Sequence, residues 1–348
     1  MGRNVVTSKT VVQSRTSRRR FLAGAATLPL AAIITRRGNA AEFSYKYATG
    51  QDPTHPVNTR AQEAIDRIRE ATSGRVEFHL FPANQLGSDT DLLGQVRNGG
   101  VEFFNLATSI LATLVPSAGI VNTGFAFPNY DVVWKAMDGP LGNHIRDQIA
   151  KAGLMAPAKF WDNGFRQISS STREIKTPED LKGFKIRVPP APMLTSVFKT
   201  LEAGPTPINF NELYSALQTK VVEGQENPLA IIFSARLYEV QKTISMTGHV
   251  WDGYVTLANR RAWAAMPADV QAIVTRELDA AGAKQRADIA TLSQSLRADL
   301  SAKGIGFLDV DRDAFRAALA KTSFYAEWKS KYGEEAWGLL EGAVGKLG

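Results

Sequence analysis

The chain has 348 residues, 44% of them hydrophobic, and it carries 41 Lys and Arg against 34 Asp and Glu, a formal net charge of +7. Residues 1–40 hold eight of the basic side chains and no acidic one, so the other 308 residues carry 33 bases against 34 acids, a net charge of −1. This balance removes the argument for binding to nucleic acid or to an acidic membrane surface. The absence of cysteine excludes disulfides, thiolate metal sites and a lipid-attachment cysteine.

The N-terminal segment has the composition of an export signal. Residues 17–22 read Ser-Arg-Arg-Arg-Phe-Leu, residues 23–34 are apolar, and residues 38–40 read Gly-Asn-Ala. This order is typical of a signal peptide, and the paired arginines favour the twin-arginine route over an ordinary secretory one. An apolar run of 12 residues is too short to span a bilayer core of about 30 Å. We expect cleavage after Ala40 and a periplasmic protein with no membrane anchor.

The next segment alternates between strand and helix patterns. Strands are predicted at residues 43–48, 76–81 and 101–107, with helices at 57–72 and about 88–96 between them. This βαβαβ order predicts a parallel sheet covered by helices. The loops at residues 50–52 and 108–109 should then face one crevice at the carboxyl ends of the strands.

Two arginines occur in strand-like segments further along the chain. Residues 160–167, which include Arg166, end one strand-like run, and Arg187 closes a short strand at residues 184–188. Prolines 189, 190 and 192 end that strand, and Pro192 is suited to begin a helix that runs to about residue 201. Arg187 therefore lies at the carboxyl end of a strand beside a helix start, where its planar guanidinium can bind a carboxylate.

Polar and aromatic residues follow in the same arrangement. Asn209 and Glu212 have the spacing of a capping box, which places Phe210 at the start of a helix. Residues 221–227 resemble a buried strand that breaks at Gly224 and leaves Asn227 extended before a proline.

The last third of the chain predicts two strands and one long helix. The strands, at residues 240–246 and 254–258, would return the chain between two lobes. Residues 267–303 favour a helix of about 50 Å, in which Gly282 permits a bend.

Four of these segments together resemble the solute-binding proteins of tripartite ATP-independent periplasmic (TRAP) transporters. The order and spacing of residues 162–167, 181–188, 213–219 and 224–228 are similar to that family. The resemblance implies an α/β, two-lobe fold of the type II periplasmic-binding-protein class, with the long helix bracing both lobes. It further implies lobe I at residues 41–163 plus about 253–291, and lobe II at 164–252 plus about 292–348.

The resemblance also assigns site residues. Arg187 matches the arginine that grips the ligand carboxylate, Arg166 a second arginine near the ligand, Phe210 an aromatic wall and Asn227 a polar contact. We add Trp161 as a cover for apolar ligand atoms. Pro190 replaces the asparagine of sialic-acid members, which disfavours sialic acid. The implied partner is the membrane permease of a TRAP transporter, and the implied ligand is an organic-acid anion held without cofactor or metal.

Other interpretations stay open at this point. Surface ion pairs would explain lone arginines, and packed cores would explain Phe160, Trp161 and Phe210. The four histidines are scattered, and neither a serine-hydrolase elbow nor a phosphate-binding loop is present. No catalytic residue is predicted, and an exported hydrolase that acts on a small anion is the alternative. The residues do not distinguish C4-dicarboxylates, sugar acids, 2-oxo acids and aromatic acids.

Overall fold

A computed structural model describes residues 41–348. The predicted signal peptide, residues 1–40, lies outside the described residues. Within residues 41–348, no helix combines the length and the apolar character that crossing a membrane requires.

The described chain contains ten strands and twelve α-helices, joined by short 3₁₀ turns. The strands are β1 Phe43–Thr49, β2 Val76–Phe81, β3 Phe103–Ala107, β4 Leu154–Met155, β5 Trp161–Ser170, β6 Lys185–Val188, β7 Gly204–Pro207, β8 Gly224–Asn227, β9 Thr243–Asn259 and β10 Gly306–Leu308. The helices are α1 Pro56–Ala71, α2 Asp89–Asn98, α3 Thr108–Leu111, α4 Tyr130–Met137, α5 Pro140–Lys151, α6 Pro192–Thr200, α7 Phe210–Gln218, α8 Leu229–Ser234, α9 Arg260–Ala265, α10 Ala268–Ala302, α11 Arg312–Ala320 and α12 Phe324–Val344.

The strands form one mixed sheet in the order β2-β1-β3-β9-β5-β8-β6-β7, with β4 and β10 paired to β9. β1 runs parallel to β2 and β3, which confirms the predicted βαβαβ unit, and β6 runs parallel to β7 and β8. We call β2-β1-β3 the first wing and β8-β6-β7 the second wing. β9 and β5, which are antiparallel to each other, join the two wings.

The joining strands differ from the prediction. β9 is one strand of 17 residues, where the sequence predicted two, because its middle residues keep pairing with β5. β5 begins at Trp161, so Arg166 lies inside this strand and not at its end. The pairing of β5 with β9 shifts register between Asp162 and Gly164 and again between Arg166 and Ile168. Such bulges bend a strand locally, and here they lie between the two wings.

Helix α10 packs against α1, β5 and α8, so it braces elements of both wings. A Cβ atom on Gly282 would lie 2.6 Å from the indole nitrogen of Trp161. The glycine therefore allows the helix to approach the strand, which is a different role from the bend that the sequence suggested.

Two local predictions were wrong. β8 starts at Gly224 and does not break there, and the preceding Val221 is 59% exposed. Asn209 occupies the N-cap position of α7, yet its side chain does not cap the helix and instead exchanges hydrogen bonds with Thr90 of α2. A contact across the molecule thus replaces the predicted capping box.

Candidate functional site

A cavity lies between the wings. It is lined by the carboxyl ends of β1, β3, β6 and β8, by residues of β5 and β9, and by the first residues of α2 and α7. Gln51 and Ser109 line it, which confirms that the loops after β1 and β3 face the same crevice as Arg187. The polar side chains on its wall include Gln51, Asp89, Asn105, Asn163, Arg166, Arg187 and Asn227.

Arg187 is a buried cation with one protein hydrogen bond among the described residues. Its side chain is 1% exposed, and its Nε donates to the carbonyl of Ile208 at 2.9 Å. Within residues 41–348, its two terminal nitrogens have no acceptor, and no carboxylate lies within 4.0 Å of them. Burial lowers the pKa of Arg187 to about 9, with Arg166 adding to the effect while Glu226 and Asp89 oppose it. The side chain therefore stays charged at neutral pH, with no counter-ion from this part of the chain.

Arg166 differs from Arg187, because its guanidinium is paired with carboxylates. It forms a fork with Glu226, with Nε to Oε2 at 2.5 Å and Nη2 to Oε1 at 2.8 Å, and its Nη1 donates to Asp252 at 3.3 Å. His249 Nε2 lies 3.1 Å from the same Glu226 carboxylate. Burial opposes ionisation of Glu226, but Arg166 and His249 outweigh it and lower the pKa of this carboxyl.

Asp252 connects the Arg166–Glu226 pair to the start of α3, the helix that follows β3 of the first wing. Its carboxylate accepts hydrogen bonds from the hydroxyls of Thr108 and Ser109, each at 2.7 Å, and from Asn122 at 3.0 Å. The start of α3 is thereby fixed against β9. His249 is fully buried, and it acts as a partner of Glu226.

Asn227 is held by its neighbours at the carboxyl end of β8. Its Oδ1 accepts from Arg166 at 2.9 Å, and its Nδ2 donates to Gln225 Oε1 at 2.5 Å. This leaves one N–H of the amide for the cavity. Arg166 therefore orients Asn227.

The apolar part of the wall contains one of the two predicted aromatics. Phe210 lines the cavity, together with Pro189, Ile110 and Ile231. Trp161 does not line it, because its ring is buried beneath Gly282 of α10. The structure thus brings Arg187, Arg166, Asn227 and Phe210 to one cavity and places Trp161 in the core.

Sequence reasoning missed four polar residues of the wall: Asp89, Asn105, Asn163 and Tyr254. Asn105 gave the clearest signal, as the one polar residue among the five of β3. Asp89 resembled an ordinary acidic residue in a first helical turn. Tyr254 resembled a strand aromatic.

The arrangement suits binding more than bond making. Arg187 offers its two terminal nitrogens to an anion, and Asn227 offers a third donor nearby. Within residues 41–348, no group of three or more His, Cys, Asp and Glu side chains is arranged to hold a metal ion.

Comparison with known proteins is consistent with this geometry. Residues 47–330 match the family described as bacterial extracellular solute-binding protein, family 7. The 2,3-diketo-L-gulonate-binding periplasmic protein YiaO of Escherichia coli is 31% identical over 300 residues, which cover 86% of this chain and 89% of YiaO. The protein y4mM of Sinorhizobium fredii is 34% identical over 306 residues, and the matched region covers 87% of this chain but only 56% of that longer protein.

Solved structures show the same fold. A TRAP periplasmic solute-binding protein from Sulfurospirillum deleyianum, crystallised with succinate, has a TM-score of 0.81 at 28% identity, and the match covers 87% of this chain and 98% of that one. The two-lobe type II fold that the sequence predicted is thus confirmed. The chain belongs to family 7 of the bacterial extracellular solute-binding proteins, the solute-binding proteins of TRAP transporters.

Proposed function

We propose that this chain captures a small organic-acid anion in the cavity and delivers it to the membrane permease of a TRAP transporter. The observation that carries the proposal is Arg187, a fully buried cation without a carboxylate partner in residues 41–348. An unpaired buried charge is costly, and a ligand carboxylate compensates it. The diketo-gulonate of YiaO and the succinate of the Sulfurospirillum protein are both carboxylates.

Each wall residue has a defined part in this binding mode. Arg187 holds the carboxylate through its two terminal nitrogens, and the remaining N–H of Asn227 donates to the same ligand. Arg166 acts indirectly, since Glu226 and Asp252 occupy most of its donors and its contribution is to orient Asn227. Phe210 covers apolar atoms at the mouth.

Closure of the two lobes completes the site. Ligand favours the closed state only if both lobes contact it, and residues of both wings line this cavity. We place the lobe boundaries as the sequence predicts, at residues 41–163 plus about 253–291 and at 164–252 plus about 292–348. The bulges in β5 lie near the first boundary and are candidates for the hinge.

We further propose that the protein works in the periplasm and is exported by the twin-arginine route. The family supports the compartment, and the paired arginines at residues 18–20 support the route. We infer a binding function without catalysis, because family members are solute-binding proteins. Nothing in the cavity or the comparisons favours the hydrolase alternative.

Thermal melting of the chain from Ala41 onward tests the proposal. The panel contains monocarboxylates, dicarboxylates, sugar acids and aromatic acids, and Arg187→Ala is melted in parallel. A ligand at 100 times its dissociation constant adds about 2.7 kcal/mol of stability to the native protein. Arg187→Ala is expected to lose about 2–5 kcal/mol of binding free energy.

Arg276→Ala is the matched control, because it removes the same charge from a side chain that is 62% exposed on α10. It should respond to the ligand as the native protein does. Failure of every acid to raise the melting temperature would contradict the proposal. An undiminished response in Arg187→Ala would contradict the role of this residue.

A further inference from the structure

The wall of the cavity contains a carboxylate as well as a cation. Asp89, the first residue of α2, is 5% exposed and lines the wall. Its Oδ1 accepts from Asn84 at 2.8 Å, whereas no hydrogen bond from residues 41–348 reaches Oδ2. Gly50 makes room for this carboxylate, since a Cβ there would lie 2.4 Å from Oδ1. Burial raises the pKa of Asp89, while Asn84 and Arg187 act against this effect, and the charged atoms of Asp89 and Arg187 are more than 4.0 Å apart.

Four other buried polar atoms of the wall lack a hydrogen-bond partner among the described residues. They are Gln51 Oε1, Asn105 Oδ1, Asn163 Oδ1 and the hydroxyl of Tyr254. Each of these side chains is more than nine-tenths buried. A buried polar atom that stays unpaired destabilises the protein, so these atoms require a hydrogen-bond partner, which a ligand in the cavity can supply.

The orientation of two amides shows which kind of partner is missing. Asn163 donates its Nδ2 to the carboxylate of Asp252 at 3.3 Å, which leaves its carbonyl oxygen for the cavity. Asn105 donates its Nδ2 to Thr256 at 3.0 Å, with the same result. Together with Oδ2 of Asp89, these groups are hydrogen-bond acceptors, so the ligand must bring donors. Hydroxyl groups are the neutral donors that an organic acid carries.

The same set of acceptors disfavours a second carboxylate. A second ionised group in the cavity would share it with Asp89 and the carbonyl oxygens, and like charges in a water-poor cavity repel strongly. An aromatic acid would leave the acceptors unpaired. A chain of hydroxylated carbons with one carboxylate satisfies both Arg187 and the acceptors.

We propose that the ligand is a polyhydroxy monocarboxylate, such as an aldonate, whose carboxylate lies on Arg187 and whose hydroxyls donate to Asp89 and the unpaired amide oxygens. Asp89 is then the residue that determines specificity against dicarboxylates. This inference rests on the proposed function and narrows its ligand class.

Calorimetric titration with D-galactonate, D-gluconate, succinate and L-malate tests the inference. The native protein is expected to bind at least one aldonate ten or more times more tightly than either dicarboxylate. Asp89→Asn removes the repelling charge and is expected to reduce this ratio at least tenfold, mainly by improving dicarboxylate binding. Asp52→Asn is the control, since it removes the same charge near the site from a side chain that does not line the cavity.

A second variant keeps the test decisive if Asp89→Asn fails to fold. Tyr254→Phe deletes a hydroxyl that has no partner among the described residues, so it should leave folding intact, weaken aldonate binding several-fold and leave succinate binding unchanged. A dicarboxylate that binds the native protein as tightly as every aldonate would overturn the inference, as would an unchanged ratio in both variants. Binding of no acid at all would instead overturn the proposed function.

Discussion

Arg166 and Arg187 are both buried, but of the two only Arg166 has carboxylate partners within residues 41–348. Its charge is balanced by Glu226 and Asp252, so it belongs to the stability of the folded protein. Arg187 has no such carboxylate partner within the same residues. The same residue type therefore has a structural role on β5, and on β6 the role that we propose for it is ligand binding.

Substitutions of the two arginines are expected to differ in their effect on the stability of the unliganded protein. Arg166→Met leaves Glu226 and Asp252 buried without their counter-charge, and we expect a loss of about 3–5 kcal/mol. Arg187→Met replaces an unpaired cation by an apolar side chain of similar length, and we expect no comparable loss. Urea unfolding of both variants measures the difference. Equal losses would show that Arg187 is also paired in solution.

Asp162 predicts a pH-dependent stability. Its side chain is 1% exposed, and burial raises its pKa to about 7, although Trp251 donates to it at 3.0 Å. Between pH 4 and 7 the folded protein thus keeps a proton that the unfolded chain has released. The contribution of Asp162 to the free energy of unfolding is therefore lost as pH rises through about 7.

Asp162→Asn removes this titration. We expect its free energy of unfolding, relative to the native protein, to increase by about 1.4 kcal/mol per pH unit between pH 5 and 7 and to level off above. Denaturant unfolding of both proteins at pH 5, 6, 7 and 8 measures the difference. A constant difference across that range would contradict the assignment.

At the scale of the elements, two helical glycines predict opposite responses to alanine. A Cβ on Gly338 in α12 would have no neighbouring atom within 4 Å, whereas a Cβ on Gly282 in α10 would lie 2.6 Å from Trp161. Gly338→Ala should gain about 0.5–1 kcal/mol from helix propensity. Gly282→Ala should lose about 1–3 kcal/mol through overpacking. Thermal unfolding compares them, and stabilisation by Gly282→Ala would show that the helix and strand can separate at no cost.

At the scale of the whole molecule, a hydrogen-bonded pair joins the helix starts of the two wings next to the cavity. Thr90 lies at the start of α2 and Asn209 at the start of α7, with Asn209 Nδ2 donating to the Thr90 hydroxyl at 3.1 Å. This contact exists only while the wings are close. It should therefore stabilise the closed state specifically.

Substituting two asparagines at helix starts distinguishes an effect on lobe closure from an effect on folding. Asn209→Ala should weaken ligand binding by about 1 kcal/mol, roughly fivefold, with little change in the melting temperature of the unliganded protein. Asn129→Ala removes a true cap, since Asn129 accepts from Val132 N at 3.0 Å, and should lower stability by about 1 kcal/mol without changing affinity. Calorimetry measures the ligand affinity of both variants, and thermal melting measures their stability. Loss of stability in Asn209→Ala would show that its contact belongs to folding.

Local signals in the sequence determined the elements and one part of the site. The βαβαβ unit, the helix from Ala268 to Ala302 and the position of Arg187 at the end of a strand all followed from periodicity, proline and helix-start residues. These features depend on interactions among residues that are neighbours in the chain. The family resemblance supplied Asn227 and Phe210 in addition.

Only the tertiary structure decided how distant residues share the cavity. In the folded protein, β9 is one continuous strand between the wings, Trp161 lies under Gly282, and the side chain of Asn209 is hydrogen-bonded to Thr90. The tertiary structure also paired Arg166 with Glu226, left Arg187 without a carboxylate partner in residues 41–348 and brought Asp89 to the wall of the same cavity. The physical reason is that burial and charge balance depend on contacts between residues far apart in the chain, which local patterns do not specify.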